Sequence, residues 1–298
     1  MCGIIGFLAK KPELRCKLGE LVTPMIECMS SRGPDSAGLA VFQDPVSQSR
    51  RRYSLFCPNP TFDWDTLTAA WCNRETAEIG VETKGNHTLV ESRLSPEEVT
   101  AWLADDFPAI HVLAIGKSIN MFKDEGAPNE IARNYEFCKL SGTHAVGHTR
   151  MATESAVSPA HAHPFTAGED FCLVHNGSLS NPHSIRRQLL REGIKFQSDN
   201  DTEAGCRYLE WRMQQGDTLE EAIANSFAQL DGFFTFLMAT GDKMVIVRDA
   251  FACKPAVVSE TDEYVAISSE FRSLAHLPDI ANADVFEPQP EEIYSWSV

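Results

Sequence analysis

The 298-residue sequence contains no run of 18 apolar residues and no basic-then-apolar leader. Neither a membrane span nor a secretory signal is therefore expected. Positive charge is scarce: 26 lysines and arginines face 42 aspartates and glutamates, a formal net charge of −16. Nucleic-acid binding wants a basic footprint and anionic membrane surfaces attract cations, so neither partner is expected. No Cys-x-x-Cys pair occurs, and the nine cysteines are odd in number. In a chain without a leader they read as reduced thiols, mostly core fillers, which points to the cytoplasm. There is no His-Glu-x-x-His either. His144, His148, His161, His163 and His175 crowd together, but the first two lie on what reads as a strand, and no metal is expected.

What is present starts at residue 2. Cys2 follows the initiator methionine directly, and a small second residue permits methionine removal. The result would be a cysteine carrying a thiol and a free α-amine. Such an amine, of pKa ~7.7–8.0, can take a proton from the nucleophile beside it, as it does for terminal threonines. The thiolate is the attacking species, and an ordinary thiol of pKa ~8.5 is mostly protonated at neutrality. Ile4, Ile5, Phe7 and Leu8 read as a buried strand behind it, with Gly3 and Gly6 allowing close approach. Taken alone, these residues read more readily as an accidental Met-Cys start before an ordinary core strand.

The hydrophobic periodicity predicts strands at both ends and helices between, an α+β layered body. Leu18 to Met29 has helical spacing interrupted by Pro24, which predicts a kink or two pieces, the second capped by Thr23. From Tyr53 to Ile115 the order β-α-β-β-α-β suggests an inserted α/β, ferredoxin-like subdomain, with Ser95-Pro96-Glu97-Glu98 as a capping box. A second capping box is Thr218 with Glu221, and Phe233–Met238 with Met244–Val247 reads as a hairpin.

Three stretches hold more polar residues than packing requires. Gly147-His148-Thr149-Arg150 ends a strand; Arg150 could grip a carboxylate through two parallel hydrogen bonds, or sit in a surface salt bridge. His175-Asn176-Gly177-Ser178 follows the apolar Phe171–Val174. Asn176 and the Gly177 amide could form an oxyanion hole, or the pair could be a plain Asn-Gly turn. Ser198 to Glu203 opens a helix, where Asp201 could bind a substrate ammonium or complement the helix dipole.

In order along the chain, Cys2-Gly3-Ile4, Arg32-Gly33-Pro34-Asp35-Ser36-Ala37-Gly38, Gly147-His148-Thr149-Arg150, Ala152-Thr153, His163-Pro164, His175-Asn176-Gly177 and Asp201-Thr202-Glu203 resemble the class II glutamine amidotransferases. Arg248-Asp249, Lys254-Pro255 and Ser268-Ser269-Glu270 are similar to later segments of that glutaminase domain. The resemblance implies an N-terminal-nucleophile hydrolase fold, a four-layer αββα sandwich. A single domain over 1–298 would be interrupted by the insertion at about 50–140.

It also implies roles. Cys2 would be the nucleophile, and Asn176 and Gly177 the oxyanion hole. Arg150 and Asp201 would hold the carboxylate and ammonium of free glutamine, with Thr153 completing the pocket and Arg32 in support. Met151 and Glu154 stand where the glucosamine-phosphate branch usually has Trp and His. With no segment similar to an ammonia-consuming domain, the resemblance further implies separate synthase subunits of the flavin-binding, glutamate-synthase-like kind. It is most similar to the stand-alone amidotransferase subunit of N-methylglutamate synthase, and no cofactor is expected in this chain. Two other readings remain: an N-terminal-nucleophile amidohydrolase acting on another amide, and a catalytically weak regulatory subunit.

Overall fold

The apolar run Gly3–Ala9 forms β1, and all seven of its residues are buried. A strand covered on both faces needs a layer above and a layer below, and that requirement sets the architecture. The computed structural model describes residues 2–75, 77–151 and 159–298. After β1 come α1 (Pro12–Arg15), α2 (Leu18–Cys28), β2 (Ser36–Phe42), β3 (Arg51–Phe56), α3 (Trp64–Arg74) and β4 (Gly80–Lys84). Next are β5 (His87–Ser92), α4 (Pro96–Asp106), β6 (His111–Gly116), β7 (Ile119–Glu125), α5 (Pro128–Asn134) and β8 (His144–Arg150). The short β9 (Phe165–Thr166), β10 (Cys172–Leu179), α6 (Pro182–Arg191), α7 (Asp201–Gln214) and α8 (Leu219–Ser226) follow. The chain then runs through β11 (Gly232–Ala239), β12 (Lys243–Arg248), β13 (Val257–Glu260), β14 (Tyr264–Ser268), β15 (Asp284–Phe286) and β16 (Tyr294–Ser297).

Two antiparallel sheets make the body, a seven-stranded one ordered β15-β13-β14-β1-β8-β2-β7 and a five-stranded one ordered β16-β12-β11-β10-β9. Period-two alternation sends Ile4, Leu8 and Val146 to one face of the large sheet, where they meet Val174, Leu237 and Ile246 of the smaller sheet. Phe7, Leu39 and Phe122 leave by the opposite face and pack on Val22, Met25 and Ile131 of α2 and α5. The outer face of the small sheet carries Leu173, Phe236 and Val245 against Ile185, Leu209 and Ile223 of α6 to α8. Helices, sheet, sheet, helices: the layering is the αββα sandwich the sequence led us to expect.

The inserted piece has its own four-stranded sheet, ordered β4-β5-β3-β6, and its own core of Tyr53, Trp71, Val99 and Trp102. β5 lies between β3 and β4, so the β3-α3-β4 unit is split, as in a ferredoxin-like arrangement. The Ser95/Glu98 and Thr218/Glu221 capping boxes are both formed.

The structure departs from the sequence reading in three places. α2 is one helix with Pro24 inside it, and Thr23 caps nothing; its hydroxyl donates to the Gly19 carbonyl at 2.7 Å. Gly19 lets that helix approach its neighbour, since a Cβ there would lie 2.2 Å from the Phe137 carbonyl oxygen. β7, which the periodicity did not reveal, is an edge strand of the large sheet, paired with β2. Third, His175-Asn176-Gly177-Ser178 is not a loop beyond a strand. β10 runs through to Leu179, paired throughout with β11, because Gly177 takes φ +145° without leaving the ladder.

Candidate active site

β1 lies in the middle of the large sheet, with Gly3 opposite Thr149 of β8 and Ile5 opposite Ser268 of β14. Two flanking ladders therefore hold residue 2 rigidly at a strand end. Cys2 is half-buried, and its Sγ lies 3.8 Å from the Met151 carbonyl oxygen just beyond β8. Arg32 reaches it from the turn after α2. The Arg32 Nε donates to the Cys2 carbonyl at 3.0 Å, and a terminal nitrogen donates to Glu270 Oε1 at 2.6 Å. Gly33 allows this turn to lie against β8, where a Cβ would stand 2.4 Å from the Thr149 carbonyl carbon. The hydrogen bond from Arg32, aided by Arg272, holds the Glu270 carboxyl below the usual carboxylate range.

From the facing sheet comes Asn176. Its Nδ2 donates to Ser269 Oγ at 3.0 Å and, more weakly, to the Cys2 carbonyl at 3.3 Å. Beside it, Gly177 is exposed, and a Cβ there would lie 1.8 Å from the Phe233 carbonyl oxygen. Cys2, Arg32 and Asn176, far apart in sequence, thus meet at one strand end, with Gly177 next to Asn176 along β10.

Arg150 ends β8, opposite Ser36; it is 5% exposed and its carbonyl accepts from the Asp35 N–H at 3.0 Å. Asp201 opens α7. Its Oδ2 accepts from the Leu179 N–H at 2.8 Å and its Oδ1 lies 3.9 Å from His175 Nδ1. A carboxylate has about four lone-pair sites, so Asp201 retains acceptor capacity for a cation. Near these two residues lie three buried imidazoles, His175 beside Asp201 and His148 and His163 within the field of Arg150. His148 and His163 stack with centroids 4.0 Å apart, and His163 and His175 both bond the Thr202 hydroxyl, at 2.9 and 3.0 Å. Burial pushes all three down, His148 to about 3, so the network is neutral at physiological pH. Among the described residues no three His, Cys, Asp or Glu side chains converge as a metal set. Thr153 and Glu154 lie outside the described residues.

A family profile described as a glutamine amidotransferase domain matches residues 148–276. Over 303 residues, covering 99% of this chain and 98% of the relative, the sequence is 42% identical to the glutamine amidotransferase-like protein GlxB of Rhizobium meliloti (strain 1021). The chain belongs to the glutamine amidotransferase family. More distantly, this amidotransferase is 29% identical over 188 residues to the amidophosphoribosyltransferase of Methanocaldococcus jannaschii, covering 60% of this chain and 40% of that protein. Its fold matches the glutamine phosphoribosylpyrophosphate amidotransferase of B. subtilis with a TM-score of 0.63 at 19% identity. That alignment covers 99% of the present chain and 47% of the larger one. Among the described residues no helix is long and apolar enough to cross a membrane.

Sequence reasoning gave no role to Ser269 or Glu270 of the amidotransferase. The Ser269 hydroxyl oxygen accepts from the Ile4 N–H at 3.0 Å as well as from Asn176, so one buried atom ties β1 to the candidate oxyanion donor. Glu270 anchors Arg32, which in turn holds Cys2. The available signal was the polar Ser-Ser-Glu that ends an apolar strand, but its target lies 265 residues away.

Proposed function

We propose that the chain hydrolyses the side-chain amide of glutamine, with Cys2 as nucleophile and, once Met1 is removed, its own α-amine as base. The observation that carries this reading is the convergence of Arg32 and Asn176 on Cys2. The amine takes the thiol proton and the sulfur attacks the amide carbon. Negative charge then develops on the amide oxygen, where the Asn176 amide and the Gly177 N–H stabilise it; the long 3.3 Å bond to the Cys2 carbonyl is the one such an oxyanion displaces. Collapse of the tetrahedral species breaks the C–N bond. The ammonium returns its proton to the departing nitrogen, giving ammonia and a γ-glutamyl thioester. Water attacks the thioester, releasing glutamate and restoring the thiol.

Substrate selection follows from charge. Arg150 grips the α-carboxylate, Asp201 the α-ammonium, and Thr153 completes the pocket; Arg32 holds the nucleophile's backbone. Acyl transfer of this kind asks for no cofactor in the chain. In this reading the ammonia is consumed by separate synthase subunits of the flavin-binding, glutamate-synthase-like class, as in N-methylglutamate synthase. The test is the intact mass of the purified chain before and after a glutamine-analogue diazoketone. Loss of Met1 and one adduct at Cys2, with no ammonia release from Cys2→Ala, is the expected result. Full glutaminase activity in a chain that keeps Met1 would overturn it.

A further inference from the structure

A second feature lies away from the nucleophile, at the seam between the inserted sheet and the body. There a cavity of about 850 Å3 is walled by Phe56, Leu103, Ile110 and Leu113 on one side and by Phe165 on the other. Its charged lining is Lys123 and Arg207 together with the carboxylates Glu125 and Glu203. A mostly apolar cavity of this size with a small number of convergent polar groups is the usual form of a small-molecule site.

The polar groups are unequally satisfied. Glu203 accepts from the Gln197 and Ser198 N–H groups, the Ser198 hydroxyl and Arg207 Nε, at 2.7 to 2.9 Å. It has little capacity left. Lys123, on β7, is 5% exposed and donates to the carbonyls of Ala162 at 2.9 Å and Pro164 at 3.1 Å, with its Nζ 4.9 Å above the Phe165 ring. Its third N–H has no acceptor among the described residues, and no carboxylate there pairs with it. Burial draws Lys123 down to about 8, which leaves it largely protonated at neutral pH. The Glu203 carboxylate acts on this ammonium only from beyond ion-pair distance, and a buried ammonium so incompletely compensated is costly; an anion supplied from outside lowers that cost.

We propose that this seam cavity binds a small organic monocarboxylate, its anionic group on Lys123 and its apolar body against Phe56, Leu113 and Phe165. Lys123 also holds the two carbonyls that flank His163, whose ring reaches Thr202 and so His175, next to Asn176. Occupancy is therefore transmitted to the oxyanion side of the active site; this last step rests on the proposed glutaminase reading, whereas binding itself does not.

The experiment titrates the full chain with hexanoate and 3-phenylpropanoate, using the corresponding amides as neutral controls, and reads thermal midpoint and binding heat. The acids are expected to give a saturable rise in midpoint and the amides none. Lys123→Met should weaken acid binding by about tenfold or more. Ala104→Trp, which adds bulk at an exposed lining position, should do the same without touching the buried lysine. If Lys123→Met fails to fold, the acid–amide comparison and Ala104→Trp still decide. Amides matching the acids, the absence of any saturable response, or Ala104→Trp binding like the unaltered chain would overturn the site. In each case labelling of Cys2 by the diazoketone is measured in parallel, so loss of this site is distinguishable from failure of the glutaminase reading.

Discussion

Ser269→Ala removes one oxygen atom and leaves two donors without an acceptor. The hydroxyl accepts from the Ile4 N–H and from Asn176 Nδ2, both at 3.0 Å, and Ser269 is 4% exposed. Each orphaned buried donor costs about 1–3 kcal/mol, so the fold should lose on the order of 2–6 kcal/mol, less if water fills the gap. The catalytic effect has a separate bound. Complete loss of an oxyanion donor lowers kcat by about 10²–10³, and here Asn176 is kept but freed to rotate. A fall in kcat of roughly ten- to a hundredfold is expected, with the KM for glutamine nearly unchanged because neither Arg150 nor Asp201 touches Ser269. Steady-state ammonia release, with a denaturant melt on the same preparation, measures both quantities. Ser269→Thr, which keeps the oxygen, should recover most of the rate. A kcat within twofold of the parent chain, or a rise in KM alone, would refute the claim that this hydroxyl positions the oxyanion donor.

If Arg150 grips the α-carboxylate as proposed, Arg150→Lys keeps the charge but gives up a two-pronged grip, so the KM for glutamine should rise about 10–100-fold with a smaller change in kcat, read from saturation curves. Gly177→Ala places a methyl 1.8 Å from the Phe233 carbonyl at φ +145°; thermal melts should show a loss of about 1–3 kcal/mol or more, and ammonia release should fall to background. Acid should destabilise the fold early. Burial lowers His87 and His144 to about 4 and His148 to about 3, so the unfolded chain takes up protons near 6.5 while the folded chain does not. Stability is therefore lost as pH falls from about 6.5 towards 4, by on the order of 6 kcal/mol at pH ~5 for these three together. Equal denaturant midpoints at neutral pH and at pH ~5 would refute it.

The sandwich was legible because its strands are long and apolar, and helix starts in both the body and the insertion carry caps: Thr218 and Ser95 mark them by a local rule that tertiary structure did not overturn. β7 was hidden because Asn120, Lys123 and Asp124 interrupt its apolar pattern, and Lys123 is buried for a reason no neighbour in sequence discloses. The boundary of β10 was missed since a polar His-Asn-Gly-Ser run looks like a turn until the ladder to β11 is seen. For the site, Cys2, Arg32 and Asn176 were readable as residue types in order. The bonds that unite them meet at the Cys2 carbonyl and are braced by Ser269 and Glu270, and hydrogen bonds across such separations leave no periodic trace.

β1 occupies the middle of a sheet whose neighbours on one side, β14, β13 and β15, all come from the last fifty residues synthesised. At about 5–20 residues per second, translation leaves the opening segment unpaired on that side for on the order of tens of seconds after it leaves the ribosome. Pairings this distant also make for slow folding. The delay suits the chemistry proposed for residue 2, since an aminopeptidase can act on a dangling end and not on one clamped between two ladders. Trimming, on this view, precedes closure, and a variant that sealed the sheet sooner would trap the blocked nucleophile inside a finished fold.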